Sequence, residues 1–143
     1  MFGGNLGKRK WRIIMPLTRI SLRRGKPAAY RKAILDGIYL AMRETFNVPE
    51  NDRFMVVTEH DADNFDYGKS YLGIARSDDL LLIQITVSNT RGIEQKRALV
   101  RDITDAVVRH FNVKPEAVMV QIMESPKDLK AKGGFLFSDG PPG

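Results

Sequence analysis

The chain has 143 residues, 43% of them hydrophobic and 28% charged, which is the make-up of one ordinary globular domain. It contains no Cys, which excludes disulfides, thiolate metal sites and a cysteine nucleophile, and its unbroken apolar runs, such as Leu80–Ile83, are far too short to span a bilayer. The net charge is +6, but Lys8, Arg9, Lys10 and Arg12 lie together in an acid-free opening stretch, so the rest of the chain is close to neutral and a nucleic-acid partner is not expected.

No apolar core of a secretory signal opens the chain, so a cytoplasmic protein is expected. A basic leader, residues 1–15, precedes the first predicted strand, Leu17–Leu22, which is closed by Arg23-Arg24-Gly25. Pro27 suits the first turn of a helix, where its missing N–H costs nothing. Tyr30, Ile34, Ile38, Ala41, Met42 and Phe46 recur at three and four residues and form one apolar helical face. Asn47 and Pro49 end that helix, and Phe54–Thr58 is the second strand. Glu59–Asp79 is polar and holds His60, Asp61, Asp63 and Asp66; it lacks the Gly and terminal Glu of a calcium loop and reads as a solvated acidic loop. Leu80–Val87 is the third strand. Leu99, Ile103, Ala106, Val107 and Phe111 form a second helical face, with His110 as a cationic residue of its last turn. Asn112, Lys114 and Pro115 stop it, Val118–Met123 is the last strand, and residues 138–143 read as a flexible tail.

A repeat organises these elements. Phe46-Asn47-Val48 returns as Phe111-Asn112-Val113 at an offset of 65, and the same offset pairs Ala33 with Ala98, Ile38 with Ile103, Ala41 with Ala106 and Glu59 with Glu124 without a gap. The domain, residues 16–137, is therefore two pseudo-repeats, about 16–60 and 80–124, each a strand–helix–strand unit. Such a unit joins parallel strands by a right-handed crossover. Two of them predict an α/β two-layer sandwich: a four-stranded mixed sheet with both helices on one face. Leu80-Leu81-Leu82-Ile83 and Val118-Met119-Val120 do not alternate with polar residues, so the helix-free face is expected to be buried too, by further copies of the chain. The same element order occurs in ferredoxin-like RNA-binding modules, but those stack bases on strand aromatics, and Leu80–Val87 has none.

Four stretches carry a resemblance to a known family. They are Met15-Pro16-Leu17, Val48-Pro49-Glu50-Asn51-Asp52-Arg53-Phe54, Tyr71-Leu72-Gly73-Ile74-Ala75-Arg76-Ser77-Asp78-Asp79 and Asn89-Thr90-Arg91-Gly92-Ile93-Glu94-Gln95-Lys96. In this order and spacing the chain resembles the tautomerase superfamily, in particular its longer two-unit branch that includes malonate semialdehyde decarboxylase. The resemblance implies a tautomerase-like fold, a homotrimer, a small carboxylate-bearing substrate and a proline-based mechanism without metal or organic cofactor. It assigns Pro16 as the catalytic proline, Arg91 as the substrate-binding arginine and Asp52 as the aspartate beside the proline. Arg76 is expected to pair with Asp78 or Asp79 and hold its loop.

Two positions depart from the branch. Asn89 stands where the decarboxylase has a second arginine, and a neutral amide there fits the broader tautomerase-like members. Leu129-Lys130-Ala131-Lys132 replaces a Trp-Ser-Phe-Gly stretch that helps wall the pocket, so a pocket that is more open, differently shaped or not used for the same acid is expected. The chemistry also needs Pro16 at a chain terminus, because an internal proline nitrogen is an amide without a basic lone pair. Initiation at Met15 followed by loss of that residue, or clipping of the leader, meets that need. A chain that keeps the leader is expected to be a non-catalytic oligomeric module of the same fold.

Overall fold

The structure, a computed structural model, describes residues 15–139; the basic leader up to residue 14 and residues 140–143 lie outside the described residues. Six strands and two long helices follow in order: β1 (Leu17–Arg23), α1 (Ala28–Phe46), β2 (Phe54–His60), β3 (Leu81–Ser88), α2 (Ile93–Phe111), β4 (Val118–Ser125), β5 (Ala131–Lys132) and β6 (Phe135–Leu136). The two helices are offset by 65 residues at both ends, the offset carried by the sequence repeat. Each ends on an asparagine in the left-handed conformation, Asn47 at φ 53° and Asn112 at φ 52°, a backbone state that asparagine tolerates better than most residues. Pro27 stands one residue earlier than expected, as the extended residue before α1.

The main sheet has the order β2-β1-β3-β4. β1 and β2 are parallel, as are β3 and β4, while β1 and β3 meet antiparallel with Leu17 opposite Thr86 and Ile20 opposite Ile83. The two strand–helix–strand units therefore join edge to edge, and the central pair brings the start of β1 to the end of β3. Both helices cover one face. Their apolar stripes, Ile34, Ile38 and Phe46 from α1 and Leu99, Ile103 and Val107 from α2, form one core with Ile20, Leu22, Ile83, Ile85 and Val87. Full burial of each such side chain stabilises the fold by about 1.5–3 kcal/mol. The helices meet through small residues: a Cβ added at Gly37 would lie 3.5 Å from that of Ala106, and the gap they line admits no water.

The helix-free face carries the apolar residues expected of it. Burial does alternate along β2 and β4, with Met55, Val57, Val118, Val120 and Ile122 turned to the core and Phe54, Val56, Met119 and Met123 turned away. The outer face of the single chain thus exposes Leu17, Phe54, Val56, Met119 and Met123, with Arg19, Gln84 and Gln121 between them. Met119 is apolar and so hides the alternation in the sequence.

The long loop after β2 is tied back by ion pairs. Arg24 meets Asp61 at 2.8 Å, Arg23 meets Asp78 at 3.0 Å and Lys26 meets Asp79 at 2.7 Å. Arg76 holds the loop as expected, but through main-chain oxygens: its Nη1 donates to the carbonyls of Gly68 at 3.0 Å and Tyr71 at 2.7 Å. Asp78 and Asp79 are already engaged by Arg23 and Lys26, which overturns the expected Arg76 pairing. His60 stacks on Phe65, and among the described residues no three potential ligands cluster around a metal position.

Candidate active site

Pro16 is buried immediately before β1. Met15 has a φ of 37°, an uncommon left-handed value for a residue other than glycine, and its N–H donates to Asp52 Oδ2 at 2.9 Å. The Asp52 carboxylate therefore lies at the Met15–Pro16 junction. A tight turn puts it there. The Asp52 N–H donates to the Pro49 carbonyl at 3.1 Å, and Asn51 takes a φ of 66°. Arg53 does not pair with Asp52; it leans over the Tyr39 ring and meets Asp36 at 3.0 Å. Burial pushes the Asp52 carboxyl above its ordinary value of 3.8, partly offset by the Met15 N–H and by the charge of Lys130.

Across the sheet, Leu17 pairs with Thr86, and β3 runs on from there to Ser88 at the same end of the sheet. Lys130 Nζ donates to Ser88 Oγ at 3.1 Å. Burial pulls the Lys130 ammonium below its usual range, nearby Arg91 adds to that, and Asp52 opposes it. Lys130 thus joins the end of the sheet that carries Pro16 and Asp52. The sequence gives no sign of this, because a lysine in a Lys-rich segment ordinarily reads as a solvated charge. Its backbone is fixed on both sides. The Lys130 N–H donates to the Lys127 carbonyl at 3.3 Å, and its carbonyl accepts from the N–H of Phe137 at 2.8 Å, whose ring is buried. The β5–β6 hairpin, turned by Gly133 and Gly134 at φ 61° and 87°, completes that clamp.

Arg91 lies two residues before α2 and reaches the C-terminal end of α1. Nη2 donates to the Phe46 carbonyl at 2.7 Å, Nη1 donates to Thr90 Oγ1 at 2.6 Å, and the guanidinium sits 5.0 Å from the centre of the Phe46 ring. Gln95 supports the same joint, donating to the Thr45 carbonyl at 3.2 Å and accepting from the Gly92 N–H at 3.3 Å. These bonds fix the arginine fork at the negative end of a helix. Asn89 is exposed on the same turn, one residue beyond Ser88. Pro16 and Asp52 are thus brought together, the charge of Arg91 acts on Lys130, and Asn89 is exposed to solvent.

A carboxyl whose folded value is raised favours folding while it is protonated, and that contribution is lost as pH rises from 3.8 through the folded value. At neutral pH the ionised, partly buried Asp52 is therefore a net cost. Asp52→Asn, which keeps an acceptor for the Met15 N–H, is expected to melt at the same or a higher temperature than the parent at pH 7. The difference should vanish on acidification. A lower melting temperature at pH 7 would show that the charge stabilises the fold.

The family model for Tautomerase enzymes matches residues 16–73, and a second Tautomerase enzyme model matches residues 52–128, more than half of the chain. The chain belongs to the tautomerase family. It is 33% identical over 108 residues to the probable tautomerase YusQ of Bacillus subtilis (strain 168), covering 76% of this chain and 85% of that one. Among solved structures, a malonate semialdehyde decarboxylase superposes with a TM-score of 0.75 at 29% identity, covering 85% of this tautomerase chain and 94% of the other. A native fused 4-OT superposes at 0.74 with 20% identity, over 86% and 97% of the chains, and shares the fold. This tautomerase-superfamily enzyme has no helix, among its described residues, long and apolar enough to cross a membrane.

Proposed function

We propose that the protein, in a form that begins at Pro16, interconverts the keto and enol forms of a small carboxylate-bearing oxo acid in the cytoplasm. The observation that carries this reading is the burial of Pro16 with the Asp52 carboxylate at its N-terminal side, 2.9 Å from the Met15 nitrogen. As a terminus, the Pro16 nitrogen is a secondary amine, and a free α-amino group titrates near about 8 in water. Burial and the cations Lys130 and Arg91 lower that value, while Asp52 raises it. The balance leaves the amine able both to accept and to give a proton near neutrality.

The step is an isomerisation. The Pro16 nitrogen takes the proton of the enol hydroxyl and leaves the O–H electron pair on oxygen as an enolate. That pair becomes the carbonyl π bond as the carbon–carbon π pair takes the proton back from Pro16 at carbon. Arg91 grips the carboxylate with its planar fork, Asn89 offers a neutral amide at the rim, and Asp52 orients the amine and the proton it carries. The test is ketonisation of phenylenolpyruvate, which has both an enol and a carboxylate. A protein starting at Pro16 should catalyse it, and inactivity across a panel of oxo acids would point instead to a non-catalytic module of this fold. Decarboxylation of a β-oxo acid without ketonisation would move the reading to the decarboxylase branch.

The reading includes a homotrimer. Its support is the outer sheet face, where Leu17, Phe54, Val56, Met119 and Met123 are each between 41% and 48% exposed in the single chain, an apolar surface of the kind that marks an interface. Light scattering on a sizing column should give a mass near three chains, or about 49 kDa from the 16.2 kDa chain. A stable monomer at micromolar concentration would remove the trimer from the reading.

A further inference from the structure

We infer that Lys130 is a second substrate-binding cation, which takes the oxygen on which negative charge develops while Arg91 takes the carboxylate. The inference rests on the proposed reading of the site and extends it to a residue that the sequence reading placed in an open wall. Three observations support it. Lys130 Nζ is held at 3.1 Å by Oγ of Ser88, the last residue of β3, at the sheet end where Leu17 pairs with Thr86. Its main chain is locked on both sides by Lys127 and the buried Phe137, so a long, flexible side chain starts from a fixed point. It also shares this end of the sheet with one anion, Asp52, and a second cation, Arg91.

The chemistry selects the ligand. A lysine ammonium and an arginine fork at one end of the sheet suit a planar ligand with a carboxylate and an adjacent oxyanion, the shape of a 2-oxo acid enolate. Taking the enol proton leaves negative charge on that oxygen, and a fixed ammonium stabilises it most as the charge appears. Arg91, engaged with Phe46 and Thr90, is anchored at the helix end, so the two cations can address two different oxygens of one ligand. The Lys130 ammonium, pulled down by burial and by Arg91 with Asp52 opposing, would set an alkaline limit to activity below the ordinary lysine range.

The test uses the protein beginning at Pro16 and two readouts. In kinetics with phenylenolpyruvate, Lys130→Met should lower kcat by roughly 10²-fold, as for loss of one oxyanion donor, with KM changed far less. Lys130→Arg should restore a large part of kcat and move the alkaline limb of the pH profile upward, which a merely structural lysine would not do. In calorimetric titration with oxalate, a stable dianion with the shape of the enolate, Lys130→Met should weaken binding by about tenfold or more, as for a lost charge-assisted pair. Binding of acetate, which has no second oxyanion, should be unchanged. Oxalate binding equal in Lys130→Met and parent would overturn the inference, whatever the activity. A parent that binds oxalate through Lys130 yet turns over no oxo acid would leave the inference standing and remove the proline mechanism.

Discussion

A protein beginning at Pro16 is expected to ketonise phenylenolpyruvate, and the same chain beginning at Met1 is not. The two differ at one atom that matters: in the longer chain the Pro16 nitrogen is an amide with no basic lone pair, and in the shorter one it is an amine. General acid–base catalysis by one positioned group contributes on the order of 10²–10⁴-fold, which sets the size of the contrast. The fold should be indifferent to the change. Every residue of the hydrophobic core lies beyond Pro16, and β1 starts at Leu17 in both proteins. Circular dichroism and sizing should therefore coincide while rates diverge. In the shorter protein the acid limb of kcat/KM should report the amine. Pro16→Ala should lose most of the rate, keeping what a primary amine at that place can supply. Equal activity of the two proteins, with intact mass showing that Met1 is retained, would mean that Pro16 is not the acid–base group.

Arg91→Ala, made in the protein beginning at Pro16, should lower kcat/KM by roughly tenfold to a hundredfold, chiefly through KM. That is the cost of one charge-assisted pair of about 1.5–3 kcal/mol. The structure adds a second consequence. The Phe46 carbonyl would lose its Arg91 donor, the Phe46 ring its cation, and the end of α1 the positive charge that complements its dipole. A loss of about 1 kcal/mol in stability is therefore expected beside the kinetic effect. Arg91→Lys separates the two roles. It returns a positive charge to the helix end but not the planar fork, so it should recover stability more fully than kcat/KM. Unchanged kinetics in Arg91→Ala, with only a lower melting temperature, would make Arg91 a helix-capping residue and nothing more.

The fold was legible where a signal is local and periodic. The stripes from Tyr30 to Phe46 and from Leu99 to Phe111 follow the 3.6-residue period, and a gapless offset of 65 lays one helix on the other residue for residue. The strands were found nearly in place: β1, β2 and β4 run one or two residues further and β3 is shifted by one, because strand ends depend on partners as well as on their own sequence. One charged residue was misjudged. Arg76 binds the Gly68 and Tyr71 carbonyls and not Asp78 or Asp79, because the sequence shows which groups are adjacent in the chain but not which are adjacent in space.

By itself, then, the sequence determined the two repeated units, the core face of each helix and, through its motifs, Pro16, Asp52 and Arg91 as residues to watch. Only the tertiary structure decided how they meet. The antiparallel β1–β3 pairing joins residues more than 60 apart in the chain, which no local preference encodes. It alone brings the start of β1 to the end of β3, where Ser88 holds Lys130. The alternation along β4 was hidden because Met119 and Met123 are apolar yet point away from the core, so hydrophobicity and burial part company there. Lys130 was hidden because its place depends on a hairpin and a buried Phe137 seven residues on, and a lysine's burial is fixed by what packs around it and not by its neighbours in sequence.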